Sequence, residues 1–376
     1  MIPGDNIIMF IIFLFFCLAL LIQLFYWLWF YLAPYFYKAA EIKGGKEPVS
    51  VIICARNEAD NLRNFLASVL EQDYPSFEVI VVNDCSEDSS DDVLGQLLMQ
   101  YPHLKISSII KDSKFAHNKK FAQFIGIKAA TNEILIFTDA DCQPESDKWL
   151  SYMASNFDNK TDFVLGYGGY LKEKGLLNKY VRFDSMFIAM QYFGMALKGI
   201  PYMGVGRNLA YRRSMFFRKK GFGEHNHIIS GDDDLFVNSN ASKADTRVEL
   251  RTGSHTRSVP SSTTAELIKQ KQRHFTTAKY YKTEHKLLLF LEPFTRMLFY
   301  VILAILVSSL YLWPYAIAGF GLRLIVQIIV LTLVQNKLNE NGLLVFSLIF
   351  DIFSPVINGV MYFSGFHNRP GRNTWK

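Results

Sequence analysis

Asp139 and Asp141 stand one residue apart, directly after the apolar run Ile134-Leu-Ile-Phe137, and Pro144 follows. A run of that length and composition reads as a buried strand, and the proline is expected to stop further pairing. In an open α/β sheet, ligands gather outside the carboxyl ends of the strands. Two acids there repel each other unless a cation lies between them. Hard ions such as Mg2+ or Mn2+ take such oxygens and commonly share themselves with substrate phosphates. Taken alone, the pair is equally compatible with a solvated loop that caps the next helix.

The elements around the pair decide between these readings. Val49-Ser-Val-Ile-Ile-Cys54 is a β-branched strand candidate ending in Ala55-Arg-Asn-Glu58. A helical pattern follows, with Leu62, Phe65, Leu66, Val69 and Leu70 on one face. Phe77-Glu-Val-Ile-Val-Val82 is a second strand ending in Asn83-Asp84-Cys85-Ser86, and residues 104–110 form a weaker third. A helix from Lys119 to Ala130 carries its lysines at the start. Strands alternating with helices predict a doubly wound, mainly parallel α/β sheet. Three strand ends then present polar groups on one edge: Asn57 with Glu58, Asn83 with Asp84, and Asp139 with Asp141. Such an edge suits a nucleotide plus a metal ion, with Lys119 available to a phosphate. Each acid alone also reads as a helix N-cap. Neither a GxGxxG nor a GxxxxGK[ST] loop is present, which weighs against dinucleotide oxidoreductases and P-loop NTPases.

The ordered set of motifs resembles the inverting family 2 glycosyltransferases with the GT-A fold. The resemblance rests on Val51-Ile-Ile-Cys-Ala-Arg-Asn-Glu58, Val81-Val-Asn-Asp-Cys-Ser86 and Phe137-Thr-Asp-Ala-Asp141. Downstream, Gly204-Val-Gly-Arg-Asn208 is similar to the acceptor-side Gly-x-Gly-x-Asn segment. Ser230-Gly-Asp-Asp-Asp-Leu-Phe236 is similar to the later acidic motif, and Gln270-Lys-Gln-Arg-His274 to the QxxRW motif of membrane-bound members. Residues 48–280 are covered, in the family's order.

The resemblance implies roles. Asp84 faces the nucleotide base with Glu58 and Asn83 nearby, and Asp139 and Asp141 hold Mg2+ or Mn2+ on the diphosphate. Asp232 is the catalytic base with Asp233 as fallback, Lys119, Gln270 and Arg273 serve the nucleotide sugar, and Gly206, Asn208 and His274 lie on the acceptor side. Asn83 stands where the family has its first aspartate, and His274 where it has tryptophan. Without the family, the three acids 232–234 read as a helix start favoured by the dipole.

The composition adds a membrane. The 376 residues are 50% hydrophobic with 20% charged, and the apolar excess is localised. Residues 7–32 form one nearly uncharged run, long enough to cross a bilayer, and a cleavable signal peptide is not expected because no basic segment precedes it. Residues 297–313, 315–334 and 343–363 form three more, the last weakened by Asp351, Pro355 and Asn358 and expected to span or lie interfacially. Lys38, Lys43 and Lys46 follow the first run, which puts the soluble part in the cytoplasm of a plasma or inner membrane. The basic tail Arg369, Arg372 and Lys376 sits awkwardly with three further spans. Net charge is +6, with no basic stripe interleaved with aromatics, so nucleic acid is not an expected partner. The cysteines Cys17, Cys54, Cys85 and Cys142 have neither zinc nor disulfide spacing.

The expected organisation is an anchor (1–45), a GT-A domain (46–255), an amphipathic interface segment with the Gln-x-x-Arg-His motif (256–290) and a membrane region (291–376). Residues 176–200 read as a core helix, with an acceptor path as the alternative. The expected activity is metal-dependent transfer of a hexosyl or N-acetylhexosaminyl group from a nucleoside diphosphate sugar, with UDP as the expected nucleotide, to a lipid or glycan acceptor at the membrane of the cell envelope. A processive polysaccharide synthase and a non-catalytic nucleotide-sugar-binding scaffold are the alternatives.

Overall fold

The protein is described by a computed structural model over residues 4–39, 41, 47–110, 118–225, 228 and 230–365. Lys43, Lys46, Arg369, Arg372 and Lys376, on which the charge argument draws, lie outside the described residues. The chain opens with helix α1 (Gly4–Phe25), which widens into a π turn (Tyr26–Tyr31) and then tightens into a 3-10 turn (Ala33–Phe36). Then come β1 (Val49–Ala55), α2 (Ala59–Leu70), β2 (Phe77–Asp84), α3 (Ser90–Gln100), β3 (Leu104–Ile109), α4 (Lys119–Ala129) and β4 (Ile134–Asp139). The middle adds β5 (Cys142–Pro144), α5 (Trp149–Ala154), β6 (Phe163–Gly166), β7 (Gly168–Tyr170), α6 (Leu176–Leu197), β8 (Leu209–Arg212) and α7 (Arg213–Arg218). It continues through α8 (Asp234–Asn240), β9 (Thr246–Glu249) and β10 (Thr256–Ser258) to α9 (Thr264–Ala278), α10 (Thr283–Ser308), α11 (Trp313–Lys337) and α12 (Leu344–Gly365).

Seven strands form one sheet in the order β3-β2-β1-β4-β8-β6-β9. β1 is buried along its whole length, as a central parallel strand covered on both faces must be. Val51 and Ile53 pack with Leu62, Leu66 and Val93 under α2 and α3, while Ile52 and Cys54 face Ala122 and Ile127 of α4 and the aromatics of α6. Register fixes the site: Ala55 lies opposite Asn83, and Cys54 opposite Asp139. The three polar strand ends are therefore level on one edge.

The expected mainly parallel sheet holds, with one antiparallel strand in it, and one other expectation needs correction. β8 runs antiparallel between β4 and β6, so the sheet is mixed beyond β4 because the chain reaches β8 through helix α6 and enters from the opposite end. Pro144 does not end the pairing. β5 joins a second sheet, β5-β10-β7, with Pro144 opposite Thr256. β5 is an edge strand there, where a missing N–H is tolerated.

Within residues 176–200 the expected core helix forms as α6 (Leu176–Leu197), with Met186, Met190 and Phe193 fully buried. The end of the first membrane helix packs on it, Trp27 and Tyr31 meeting Phe187. Gly194 permits this approach, since a Cβ there would collide with the carbonyl of Phe30.

Among the described residues, four helices are long and apolar enough to cross a membrane: Ile7–Phe36, Thr283–Ser308, Trp313–Lys337 and Leu344–Ser364. The last qualifies despite Asp351. That carboxylate is buried and accepts from Arg296 Nη1 and Arg323 Nη2, both at 2.9 Å. Arg323 also donates to Gln23 at 3.0 Å, and Arg296 to Glu292 at 3.1 Å. One polar cluster thus ties α1, α10, α11 and α12, its charges paired as the interior requires. Both ends of α12 meet the body below: Glu340, just before it, is buried against Arg182, and Ser364 near its end receives a hydrogen bond from Gln272 of α9 at 3.1 Å.

Candidate active site

β1 and β2 both leave the sheet through a residue in the left-handed region, Asn57 and Cys85, each with φ 54°. The two loops lock together. Ser86 Oγ accepts from the Asn57 amide at 2.9 Å, and Asn57 Oδ1 accepts from the Glu87 amide at 2.8 Å. Asn83 belongs to this lock: its amide donates to Asp91 at 2.6 Å and accepts from Ser86 at 2.5 Å. The amide is therefore occupied within the loop, not turned toward a ligand. Asp84 is fully buried with Arg56 Nη1 3.9 Å away, and Glu58 is buried beside it, holding Asn61 at 2.5 Å.

Lys119 begins α4, which Asn118 caps through a 2.9 Å bond to the Phe121 amide. Its ammonium donates to Asp139 Oδ1 at 2.7 Å and lies 3.6 Å from Asp232 Oδ2. Burial works against that charge, yet Asp139, Asp232 and Asp233 hold the Lys119 pKa well above its ordinary value. The next lysine turns the other way. Lys120 is buried and donates to the carbonyls of His225 and Ile228 at 2.8 and 3.0 Å, fixing the segment that leads to the acid triplet.

The paired acids lie where the sequence puts them. Carboxylate oxygens of Asp139 and Asp141 and the Cys142 sulfur come within 4.8 Å of one another. Burial and then the Asp139 charge push Asp141 up, while Asp139 stays below its usual range because Lys119 outweighs its desolvation. Burial, followed by the neighbouring carboxylates, raises the Cys142 thiol, so it stays protonated. Two crowded carboxylates and no thiolate fit an oxygen-seeking Mg2+ or Mn2+, with Asp139 and Asp141 as the residues to hold it. Ser258 Oγ orients the second of them, donating to Asp141 Oδ2 at 2.9 Å.

The triplet Asp232, Asp233 and Asp234 splits three ways. Gly231 adopts φ 92°, which favours glycine and turns the chain into the site. Asp232 is buried, and its Oδ2 has no hydrogen-bond partner among the described residues. Asp233 caps α8, accepting from the Asp234 amide and from the Gly206 amide, both at 2.7 Å. Burial and the two neighbouring acids raise its pKa to about 7. Asp234 faces away and anchors α9, accepting from Thr277 Oγ1 at 2.5 Å and Tyr281 OH at 2.6 Å.

Through that anchor α9 presents Gln270, Arg273 and His274. Gln270 Nε2 donates to Tyr170 OH at 3.0 Å. The Arg273 charge acts on Asp139. His274 keeps a solvent-exposed side, yet desolvation, then Arg273, Lys271, Arg207 and Lys119, hold it well below the ordinary histidine value, so the ring is neutral. Gly206 sits beneath Lys119, where a Cβ would lie 3.5 Å from Nζ. Asn208 does not join them. It is fully buried, its amide donating to the carbonyls of Tyr167 and Ser254 and accepting from Trp149 Nε1. It is a strut behind the site with no group left for an acceptor. Residue pattern missed Lys120, Arg207 and Ser258. Two adjacent lysines signal a site without saying which one enters it, and a serine on a three-residue strand gives no signal.

A glycosyltransferase model, described as glycosyl transferase family 21, matches residues 11–373. The chain belongs to that family. The family 2 number rests on motif order alone, and the wider assignment to the glycosyltransferases holds. Glycosyltransferase AglE of Haloferax volcanii is 31% identical over 199 residues, covering 49% of this chain and 58% of its own length. Probable glycosyltransferase YdaM of Bacillus subtilis is 26% identical over 195 residues, covering 50% and 46%. This family 21 chain thus spans about half the length of these relatives. A mannosyltransferase from Pyrobaculum calidifontis, solved with GDP-Man and Mn2+, superposes with a TM-score of 0.56 at 18% identity over 93% of this chain and 99% of its own. That likeness shows a shared α/β fold, and this chain carries helices long and apolar enough to cross a membrane toward both ends.

Proposed function

We propose that this family 21 protein transfers a hexosyl or N-acetylhexosaminyl group, with inversion, from a nucleoside diphosphate sugar to a hydroxyl of a membrane lipid. One observation carries the reading: Lys119 contacts Asp139 and approaches Asp232, so the paired acids and the Asp232 carboxylate address one space. Asp84, Glu58 and Arg56 close the nucleotide end. Asp139 and Asp141 would hold Mg2+ or Mn2+, which when bound would supply positive charge against that building on the departing diphosphate. Asp232 takes the acceptor proton as the new C–O bond forms and the bond to the phosphate oxygen breaks, the attack and departure lying on opposite faces of the anomeric carbon. Asp233 and Asp234 fix its backbone, and Arg273 adds positive charge on the diphosphate side.

A lipid acceptor is favoured by an apolar groove of about 650 Å3 between α10 and α12, lined by Met297, Pro355, Val356, Val360 and Phe363. It reaches Ser364, which is bonded to Gln272, two residues from His274. The cytoplasm is the proposed side for the catalytic body. The test is a panel of nucleotide sugars with Mn2+ and total membrane lipid, read by mass. One lipid species gaining a single sugar supports the reading. A ladder of products favours a polymer synthase, and neither transfer nor Mn2+-dependent hydrolysis with any donor favours a binding scaffold.

A further inference from the structure

Arg207 brings a charge to the site that the chemistry above does not use. Its backbone is fixed on both sides, by the buried Asn208 and by Thr256 Oγ1, which donates to the Arg207 carbonyl at 2.9 Å. The guanidinium carbon lies over the Tyr170 ring, 4.2 Å from its centroid. Gly168 leaves room for the arm, since a Cβ there would come within 2.9 Å of Arg207 Cβ and 3.4 Å of Nε. The arm is held, but its donors are not used. Nη1 is buried without a hydrogen-bond partner, and among the described residues the side chain makes no hydrogen bond and no ion pair within 4.0 Å. Its charge nevertheless acts on Asp139, Asp141 and His274.

A guanidinium is a planar fork that matches phosphate oxygens two at a time. A fork stacked on an aromatic ring, with a buried donor unmet beside the paired acids, is complementary to an anion that arrives there. We infer that Arg207 binds the sugar-side phosphate of the donor diphosphate, and that Gln270 positions it by fixing Tyr170. This rests on the nucleotide-sugar reading. The link runs from Ser261 Oγ, 3.4 Å from Gln270 Oε1, through Gln270 Nε2 to Tyr170 OH and thence to the ring beneath the guanidinium. The glutamine of the Gln-x-x-Arg-His motif therefore acts on the diphosphate through tyrosine and arginine.

A diphosphate carries the phosphate that Arg207 recognises, and a monophosphate lacks it. Titration calorimetry of the full-length protein in detergent with Mn2+, using UDP, UMP, GDP and GMP, separates them. Arg207→Gln is expected to weaken diphosphate binding by at least about tenfold while monophosphate binding changes less than about twofold, because charge-assisted bonds are the strong ones. Arg207→Lys, which keeps the charge without the fork, should fall between, and Tyr170→Phe should cost the diphosphate alone about two- to threefold. Unchanged diphosphate affinity in Arg207→Gln and Arg207→Lys would overturn the inference. So would equal losses on mono- and diphosphates. If wild-type protein binds none of the four nucleotides, the nucleotide-sugar reading itself fails.

Discussion

The Lys119 ammonium sits 2.7 Å from an Asp139 oxygen, on the same side of the sheet edge that carries Asp232 3.6 Å away. One side-chain cation thus holds together acids from two motifs 93 positions apart in the chain (Asp139 and Asp232). Their mutual repulsion would otherwise work against the fold.

Lys119 therefore does for the acids what a divalent ion does when it binds. In Lys119→Met, the melting temperature without metal should fall by several degrees, and the rise on adding Mn2+ should be at least about twice that of wild type, by mass action on a site stripped of its internal cation. Differential scanning fluorimetry across a Mn2+ series reads both numbers. An identical Mn2+ response in the two proteins would separate Lys119 from the cation site.

The about 7 pKa of Asp233 makes stability depend on pH. A carboxyl with a raised folded pKa holds its proton more tightly when folded. It favours the folded state below its unfolded value of 3.8, and that advantage is lost as pH rises toward about 7. Asp233→Asn cannot titrate. Its melting temperature relative to wild type should therefore rise between pH 4 and pH 8, whatever constant offset the changed helix cap brings. Melting curves at matched ionic strength check this, and a difference independent of pH would contradict it.

The membrane helices reach the paired acids through Glu340. This fully buried carboxylate, in the α11–α12 connection, accepts from Arg182 Nε at 2.8 Å and Tyr167 OH at 2.9 Å and pairs with Arg257. Arg257 also donates to the Leu338 carbonyl at 2.9 Å. It sits on β10 beside Ser258, which holds Asp141 from the opposite face of the strand. Glu340→Gln leaves two buried arginines underpaired and should cost about 3 kcal/mol of stability. It should also raise the Mn2+ concentration for half-saturation by about threefold or more, since ligand affinity follows the supporting shell. Paramagnetic resonance titration of folded protein measures it. Lower stability with unchanged Mn2+ affinity would make Glu340 a packing residue only.

The strands that carry the site were legible because β1, β2 and β4 are buried on both faces and so appear as nearly continuous apolar runs, broken only by Ser50 and Glu78 before their polar ends. Their polar ends then had to fall level once the runs paired in parallel. Asp139 and Asp141 came with them, whereas Asp232 was singled out only by the resemblance of Ser230-Gly-Asp-Asp-Asp-Leu-Phe236 to the family's acidic motif. What escaped lies where chemistry depends on distant partners. Asn208 carries the right side chain in the right motif, but only packing against Trp149 reveals that its amide is taken. β5 and β10 span three residues each, too few for a period to register. Glu340 is a single acid in a helix connection, and its partners Arg182 and Arg257 lie 158 and 83 positions away. The direction of β8 follows from the path of α6, which composition does not disclose.

The assignment of Asp232 as base is tested most directly by Asp232→Asn, with transfer and nucleotide binding measured on the same preparation. With the donor identified by the panel, and Mn2+ present, sugar transfer should fall by about a thousandfold, the scale of a lost general base, while UDP or GDP affinity stays within about threefold. A variant that keeps more than about a tenth of wild-type turnover, or that loses nucleotide binding together with transfer, would contradict the account.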